Sequence, residues 1–225
     1  MNDFEKLLLE LKSSKVVDAS IDYTNYTPID LSSEASDLLK LNLTDAHVFE
    51  QFIEKHLVKQ KAKVAFGGYL EKRNLYKRSV VFTKNEANDR NIHLGIDLWI
   101  KAGTAVLAAL DGTIHSFKNN TALGDYGPTI ILKHTYKDTT FYTLYGHLSA
   151  ESLMNCYEGK TVKKGDCIAK LGAAPINGDY APHLHFQIIK DLEEKKGDYP
   201  GVCSLNTLDF YKTNCPDPNL LLKIK

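Results

Sequence analysis

Two short segments of the sequence place imidazole and carboxylate groups at spacings that suit one face of a β-strand. His93 and Asp97 enclose the segment His-Leu-Gly-Ile-Asp, and His183 and His185 stand two apart in His-Leu-His-Phe-Gln-Ile. Because side chains alternate between the two faces of a strand, positions 93, 95 and 97 are predicted to share one face, and so are 183, 185 and 187. Gly95, between the two polar groups, would leave room for a bulky group such as a metal ion and its water.

Two histidines and one aspartate can form a three-ligand zinc site with an open position for water, which is the arrangement of a catalytic rather than a structural zinc. His183 and His185 would stand about 7 Å apart along a strand, so we expect one to bind the ion while the other stands over the water. A further imidazole, His147, ends a predicted strand in which Thr143 and Tyr145 are expected to share its face. Zinc lowers the pKa of bound water toward about 7, and free imidazoles can then accept its proton or hydrogen-bond the developing oxyanion.

The other histidines are interpreted as structural. His47, His56 and His115 are expected to be hydrogen-bonded or half-exposed, and His134 ends a predicted strand. A lone His-x-x-x-Asp is a weak signal and a lone His-x-His a moderate one. The occurrence of three such segments in order, each in a β context, favours a metal site.

Three regions are predicted along the chain. Residues 1–62 form a helical extension, in which Phe4, Leu7, Leu8 and Leu11 make one stripe of a short helix and Thr44 caps a second. Residues 63–190 form an antiparallel β domain, and 191–225 form a tail that packs on it. The candidate strands are Thr104–Ala109, Thr113–Phe117, Thr129–His134, Phe141–Leu148, Cys167–Leu171 and His183–Ile189.

Two polar segments connect these elements. Asp111-Gly112 is predicted to turn between the first two strands, and the polar segment from Asp22 to Thr27 is predicted to be a loop. That loop carries groups able to reach a metal, so the extension is either a buttress or a cover over the site. A weak internal sequence repeat, or echo, relates residues 101–112 to residues 162–169, as in lipoyl-like hybrid-motif sheets. The fold class is therefore mainly β (α+β), an antiparallel sheet or sandwich of the duplicated hybrid-motif type with an N-terminal helical extension.

Composition excludes several classes of protein. Lys+Arg and Asp+Glu both total 28, so the net charge is zero and no basic face for nucleic acid is indicated. The longest apolar run, Ala105 to Leu110, is far shorter than the roughly 20 residues of a membrane span. The N-terminus lacks the features of a signal peptide, so a cytoplasmic location is expected. The four cysteines form no CxxC pair and are expected to be free thiols, although Cys203 and Cys215 could pair in a secreted protein.

At these segments the sequence resembles the lysostaphin-type (LytM-like) zinc metallopeptidases, a peptidoglycan-endopeptidase family. The resemblance runs from about residue 67 to 189 and includes a Gly-Tyr…Arg segment at 68–73. Its motifs are HLGID (93–97), AGTAVLAALDGTI (102–114), GDYGPTIILKH (124–134), YTLYGHLS (142–149), KTVKKGDCIAKLG (160–172) and APHLHFQI (181–188). The segment 172–181 before the last motif departs from the family pattern and predicts a different groove wall.

The resemblance implies an activity and a division of roles. His93, Asp97 and His185 would bind one zinc ion per chain, and His147 and His183 would be the catalytic pair. The substrate would be a peptide or muropeptide, hydrolysed at an amide bond by a zinc-activated water. The implied substrate groove contains Tyr69, Arg73, Tyr126 and Tyr145.

Two functions from other classes compete with this hypothesis. A non-catalytic module could use the same groove to bind peptide or regulate a partner. A hybrid-motif phosphocarrier also uses two histidines, but it would leave the aspartate of His-x-x-x-Asp without a role. A lipoyl carrier is disfavoured because the turn at Asp111-Gly112 lacks the lysine that would carry lipoate.

Overall fold

A computed structural model describes residues 1–35, 38, 41–42, 45–73 and 89–225, and within these ranges the chain forms four α-helices and twelve strands. The helices are α1 (Asp3–Glu10), α2 (Ala46–Gln60), α3 (Leu208–Asn214) and α4 (Asn219–Leu222). The strands are β1 (Tyr26–Pro28), β2 (Val64–Gly67), β3 (Ile92–His93), β4 (Ile96–Trp99), β5 (Ala105–Leu107), β6 (Gly112–Asn120), β7 (Gly127–Tyr136), β8 (Thr139–Gly146), β9 (Thr161–Val162), β10 (Cys167–Lys170), β11 (His183–Ile189) and β12 (Val202–Cys203). No helix in the described ranges has the length and apolar character needed to cross a membrane.

One large sheet dominates the fold. Its strand order is β1-β2-β4-β11-β8-β7-β6-β9, and two small sheets pair β10 with β5 and β12 with β3. All of these pairs are antiparallel except β1 with β2. The prediction of a mainly β fold with few helices is confirmed.

Asp111-Gly112 lies between the first two predicted strands, as expected, but these strands do not pair as a hairpin. It leads from β5 to β6, but β5 pairs with β10 in a separate small sheet. The two segments of the internal echo therefore lie side by side, with Leu107 opposite Cys167 and Ala105 opposite Lys170. Local turn chemistry favours a hairpin here, and this pairing between segments distant in the chain takes precedence.

The N-terminal extension shares the core of the β domain. Leu8 is fully buried, Val17 forms a β-bridge with Val106, and both belong to the main apolar cluster. The prediction of a loop over Asp22–Thr27 is wrong in part: Asp22 caps a 3₁₀ turn over Tyr23–Asn25, and β1 then adds a parallel strand to the sheet edge. This segment can pair because the apolar side of Tyr26 packs into the core.

The N-cap of the second helix lies one residue later than predicted, at Asp45. Thr44 lies outside the described residues, and the side chain of Asp45 accepts hydrogen bonds from the backbone N–H groups of His47 and Val48. At the other end of the chain, Leu221 and Leu222 of α4 are buried in the main core. Both chain ends therefore pack on the β domain.

We expect Leu8→Ala to destabilise the whole protein, although the residue lies in the N-terminal extension. Its side chain is fully buried in the main core, so truncation should lower the free energy of unfolding by about 2–5 kcal/mol. The adjacent Leu9 is 39% exposed and supplies a matched control, for which Leu9→Ala should cost less than about 0.5 kcal/mol. Equal denaturation midpoints for the two variants would show that the extension is not part of the core.

His134 makes the stability of the protein depend on pH. It is buried in β7, where its ring nitrogens lie 2.8 Å from the carbonyl oxygen of Asp111 and 2.7 Å from Thr143 Oγ1. Burial lowers the pKa of His134 from 6.5 to about 4. Between pH 6.5 and 4, His134 is therefore protonated in the unfolded chain but not in the folded one. As a result, the stability of the protein falls as the pH drops toward 4.

We expect His134→Gln to weaken this dependence on pH. Removing the titration should reduce the stability lost between pH 6.5 and 4 by up to roughly 3 kcal/mol. Urea unfolding of both proteins across this range measures the difference. Identical pH slopes would contradict the assignment.

Candidate metal centre

Strand register brings the predicted site residues together. β11 pairs with β4 so that His185 lies opposite Asp97 and His183 lies opposite Trp99. On its other side β11 pairs with β8, with His185 opposite Gly146. His93 reaches the same place from β3, a separate short strand that ends just before β4.

Three donor atoms converge on one point. His93 Nε2 lies 2.9 Å from His185 Nδ1 and 3.3 Å from Asp97 Oδ1, and His185 Nδ1 lies 3.2 Å from Asp97 Oδ1. Ligands held tetrahedrally at zinc distances of about 2.0–2.1 Å are separated by about 3.4 Å. All three side chains are buried, and they form the group of His, Cys, Asp and Glu residues in the described ranges that could hold a metal ion. The donor set fits one zinc ion.

The other polar atom of each of these side chains already has a partner. His93 Nδ1 lies 2.9 Å from the carbonyl oxygen of Gly68, and His185 Nε2 lies 3.0 Å from Gln187 Oε1. Asp97 Oδ2 accepts a hydrogen bond from the Arg73 guanidinium. Each ring thus donates one N–H outward and presents its lone pair inward, as an outer shell around a metal requires.

Electrostatics favour the ionisation states that bind metal. Burial opposes ionisation of Asp97, but the charged Arg73 guanidinium beside it outweighs burial and holds the pKa of this carboxyl well below its usual range. Burial lowers the pKa of His93 to about 4, so the ring is neutral at neutral pH. A carboxylate and neutral imidazoles are the forms that coordinate a cation.

His147 and His183 lie beside these donors as an adjacent pair whose ring planes are tilted by 36°. Their ring centroids are 4.1 Å apart, and the His183 ring stacks on Trp99 at 3.9 Å. Nδ1 of His147 lies 2.7 Å from the carbonyl oxygen of Asn177, and Nδ1 of His183 lies 2.8 Å from that of Ala181. Burial lowers the pKa of both rings, to about 4 for His183. Both are therefore neutral at neutral pH, with Nε2 left to accept a proton.

The prediction that His147 shares a strand face with Thr143 and Tyr145 is wrong, because the strand and its alternation of side chains end at Gly146. His147 has a φ of +63°, which turns its side chain away from the face that Tyr145 occupies. Tyr145 lies opposite Phe186 in the core, and its hydroxyl accepts a hydrogen bond from the backbone N–H of Ala109. The left-handed residue directs the imidazole to the site.

Gly95 makes room for a ring rather than for an ion. A Cβ atom at this position would lie 2.5 Å from Cε1 of His185 and 2.6 Å from its Nε2. The close approach of the His185 imidazole is what requires a glycine here. The expectation of space for metal and water at Gly95 is therefore wrong.

A cavity of about 200 Å³ opens onto the centre. Among the predicted groove residues, Arg73 and Tyr126 line it, and the hydroxyl of Tyr126 lies 3.4 Å from His185 Nε2. Tyr69 instead donates to the backbone carbonyl of Cys215, and the fully buried Tyr145 belongs to the core. Sequence reasoning missed other lining residues, namely Arg90, Trp99, Asp125, Tyr180, Lys195, Asp198 and Tyr199.

No described residue of the N-terminal extension lines the cavity. The lining residues fall between Arg73 and Val202, and no described residue of 1–62 is among them. Tyr23 and Tyr26, from the segment that could have reached a metal, pack on the main core instead. In the described part of the chain the extension has the position of a buttress.

Comparison with known proteins places this site within a family. Residues 91–198 match the family model of Peptidase family M23. A 95-residue segment is 37% identical to an "Uncharacterized metalloprotease" of Haemophilus influenzae, covering 42% of this chain and 18% of that protein. A 102-residue segment is 33% identical to a "Lipoprotein NlpD/LppB homolog" of Pseudomonas aeruginosa, covering 45% and 31%. Among solved structures, the catalytic domain of the antimicrobial peptidase lysostaphin from Staphylococcus simulans is 27% identical, with a TM-score of 0.38 over 54% of this chain and 80% of that one.

The chain spans less than a third of the length of both curated relatives. The family match nevertheless contains the three converging donors and the adjacent pair His147 and His183, while Arg73 and Gly68 of the outer shell precede it. The recognition made from the sequence motifs is confirmed: residues 91–198 of this chain form a domain of peptidase family M23.

Proposed function

We propose that this protein is a zinc-dependent hydrolase that cleaves a peptide bond in a short peptide or peptidoglycan-like substrate. The observation that carries the proposal is the convergence of His93, Asp97 and His185, with the neutral pair His147 and His183 beside it. Zinc bound by these three residues would polarise the scissile carbonyl and lower the pKa of a coordinated water toward about 7.

The two remaining imidazoles supply the proton transfers. His147 and His183 each donate Nδ1–H to a backbone carbonyl, so each keeps a lone pair on Nε2. A neutral imidazole can accept a proton from the attacking water and then deliver it to the leaving amine, and a protonated one can donate a hydrogen bond to the oxyanion. The stacking of His183 on Trp99 fixes the plane of one ring.

The cavity suits a polar chain that enters from the surface. The reactive side chains are 5% exposed or less, so the scissile bond must be brought to the bottom of the cavity. Both signs of charge line its walls, with Arg90 and Lys195 as cations and Asp125 and Asp198 as carboxylates. A short peptide or muropeptide stem, which carries both ammonium and carboxylate groups, matches this lining.

The decisive experiment measures metal content and cleavage on the same preparation. The full chain is purified gently, its zinc is determined by elemental analysis, and it is incubated with bacterial muropeptides and a panel of short peptides. We expect one zinc per chain, and cleavage that stops with a chelator and returns with added zinc. Zinc without turnover on any amide would favour the non-catalytic binding module. Absence of zinc after reconstitution would contradict the metal site itself.

A further inference from the structure

The loop between β10 and β11 holds a buried amide that the proposed chemistry does not use directly. Asn177 is fully buried, and its side chain bonds only within this loop. Nδ2 donates to the backbone carbonyls of Gly172 at 3.2 Å and Tyr180 at 3.0 Å, while Oδ1 accepts from the N–H of Tyr180 at 3.1 Å. Three hydrogen bonds from one side chain fix the path of the backbone on both sides of residue 177.

That backbone path ends at a catalytic candidate. The carbonyl oxygen of Asn177 lies 2.7 Å from His147 Nδ1, and the N–H of Gly172 donates to the carbonyl oxygen of His147 at 2.9 Å. Gly172 is also the residue whose own carbonyl accepts from the Asn177 side chain. The loop thus hydrogen-bonds His147 at both its ring and its backbone. The side chain of Asn177 links the two loop residues, 172 and 177, that make these contacts.

His147 requires stabilising contacts because its backbone conformation is unfavourable. A φ of +63° in a residue other than glycine costs free energy and persists only where the surroundings determine it. Besides the loop contacts, the N–H of His147 donates to the carbonyl oxygen of Tyr126 at 2.8 Å. The 173–178 segment is itself seated on the strand that follows Tyr126, since a Cβ at Gly127 would lie 2.5 Å from the carbonyl oxygen of Ile176.

We propose that Asn177 is the positioning residue for His147. By fixing its own carbonyl oxygen against Nδ1, Asn177 sets the tautomer with the proton on Nδ1 and directs Nε2 of His147 into the cavity. The expected effect of Asn177 on turnover rests on the proposed function. Its expected effect on the ring proton of His147 does not. It also gives a role to the segment 172–181, where the sequence departs from the related family pattern.

The test compares Asn177→Ala with the wild type by NMR and kinetics. In ¹⁵N-labelled protein, the Nδ1–H of His147 should give a protected imidazole proton signal, assigned by its absence from His147→Gln. We expect Asn177→Ala to lose this signal through exchange with water. We also expect kcat to fall about 10–100-fold, the usual loss for an orienting partner, with KM and zinc content within twofold of the wild type.

Asn219→Ala is the matched control. Asn219 also closes a loop by bonding both backbone groups of one residue, Ile224, but it lies at the C-terminal helix away from the cavity. It should keep the His147 signal and kcat even if stability falls. If Asn177→Ala does not fold, Asn177→Ser replaces it, since a hydroxyl can keep the bond from Tyr180 N–H.

Either of two outcomes would overturn the positioning role. One is a His147 signal that survives in the Asn177 variant, and the other is a lost signal with kcat within twofold of the wild type. If the proposed function fails instead, the zinc-loaded wild-type protein itself cleaves none of the amides. The ring-proton measurement then still decides whether Asn177 orients His147.

Discussion

His185→Ala is expected to abolish stable zinc binding. Its Nδ1 is one of three donors that lie within 3.3 Å of one another, and two ligands rarely hold zinc against buffer. Loss of an outer-shell partner alone weakens a metal site by about 10–100-fold, so loss of a ligand should weaken it by more than 100-fold. Elemental analysis after dialysis and a competition titration with a chelator measure the occupancy and the affinity.

Two further variants make this prediction specific. Gln187→Ala removes the acceptor 3.0 Å from His185 Nε2 but leaves all three ligands, so its zinc affinity should fall between those of the wild type and His185→Ala. His134→Ala removes a buried histidine that lies outside the centre and should keep full occupancy. Full zinc occupancy in His185→Ala would refute the ligand assignment, and equal affinities for Gln187→Ala and His185→Ala would place Gln187 among the ligands.

The shared face of the histidines in β11 could be predicted from the sequence, because the alternation of side chains along a strand is a local property. His183, His185 and Gln187 share a face in a seven-residue strand, as the period of two requires. The strands Thr129–His134 and Phe141–Leu148 were predicted for the same reason and fall within β7 and across β8. Where the backbone is regular, residue type and spacing were sufficient.

Departures from regular backbone could not be predicted from spacing. The chain between His93 and Asp97 breaks into two strands, and the glycine between them faces an imidazole that arrives from β11. The left-handed φ of His147 depends on contacts with Tyr126 and Gly172, which lie more than twenty residues away in the chain. The missed pairing of β5 with β10 likewise depends on contacts distant in sequence. Such features are fixed by tertiary contacts, which the local periodicity of the sequence does not reveal.

His147→Ala and His183→Ala are expected to keep zinc and lose turnover. Neither side chain belongs to the converging donor set, although His183 Nε2 comes within 3.9 Å of Asp97 Oδ1. General acid–base catalysis contributes roughly 10²–10⁴-fold, so kcat on a true substrate should fall by that factor. His115→Ala, which changes a half-buried histidine hydrogen-bonded to Ser116 outside the cavity, should keep the wild-type rate.

A change of leaving group separates the roles of the two histidines. The residue that protonates the leaving amine matters less when the leaving group is stable without a proton. We therefore compare each variant on a peptide amide and on the matching activated ester. The variant that recovers most on the ester lacks the proton donor, and the other lacks the base or the oxyanion partner. Because the centroids of the two rings lie only 4.1 Å apart, the double variant should lose less than the product of the single losses, as expected for residues that act as a unit. Strict multiplicativity would mean that the two imidazoles act independently, and wild-type turnover in either single variant would remove that residue from the mechanism.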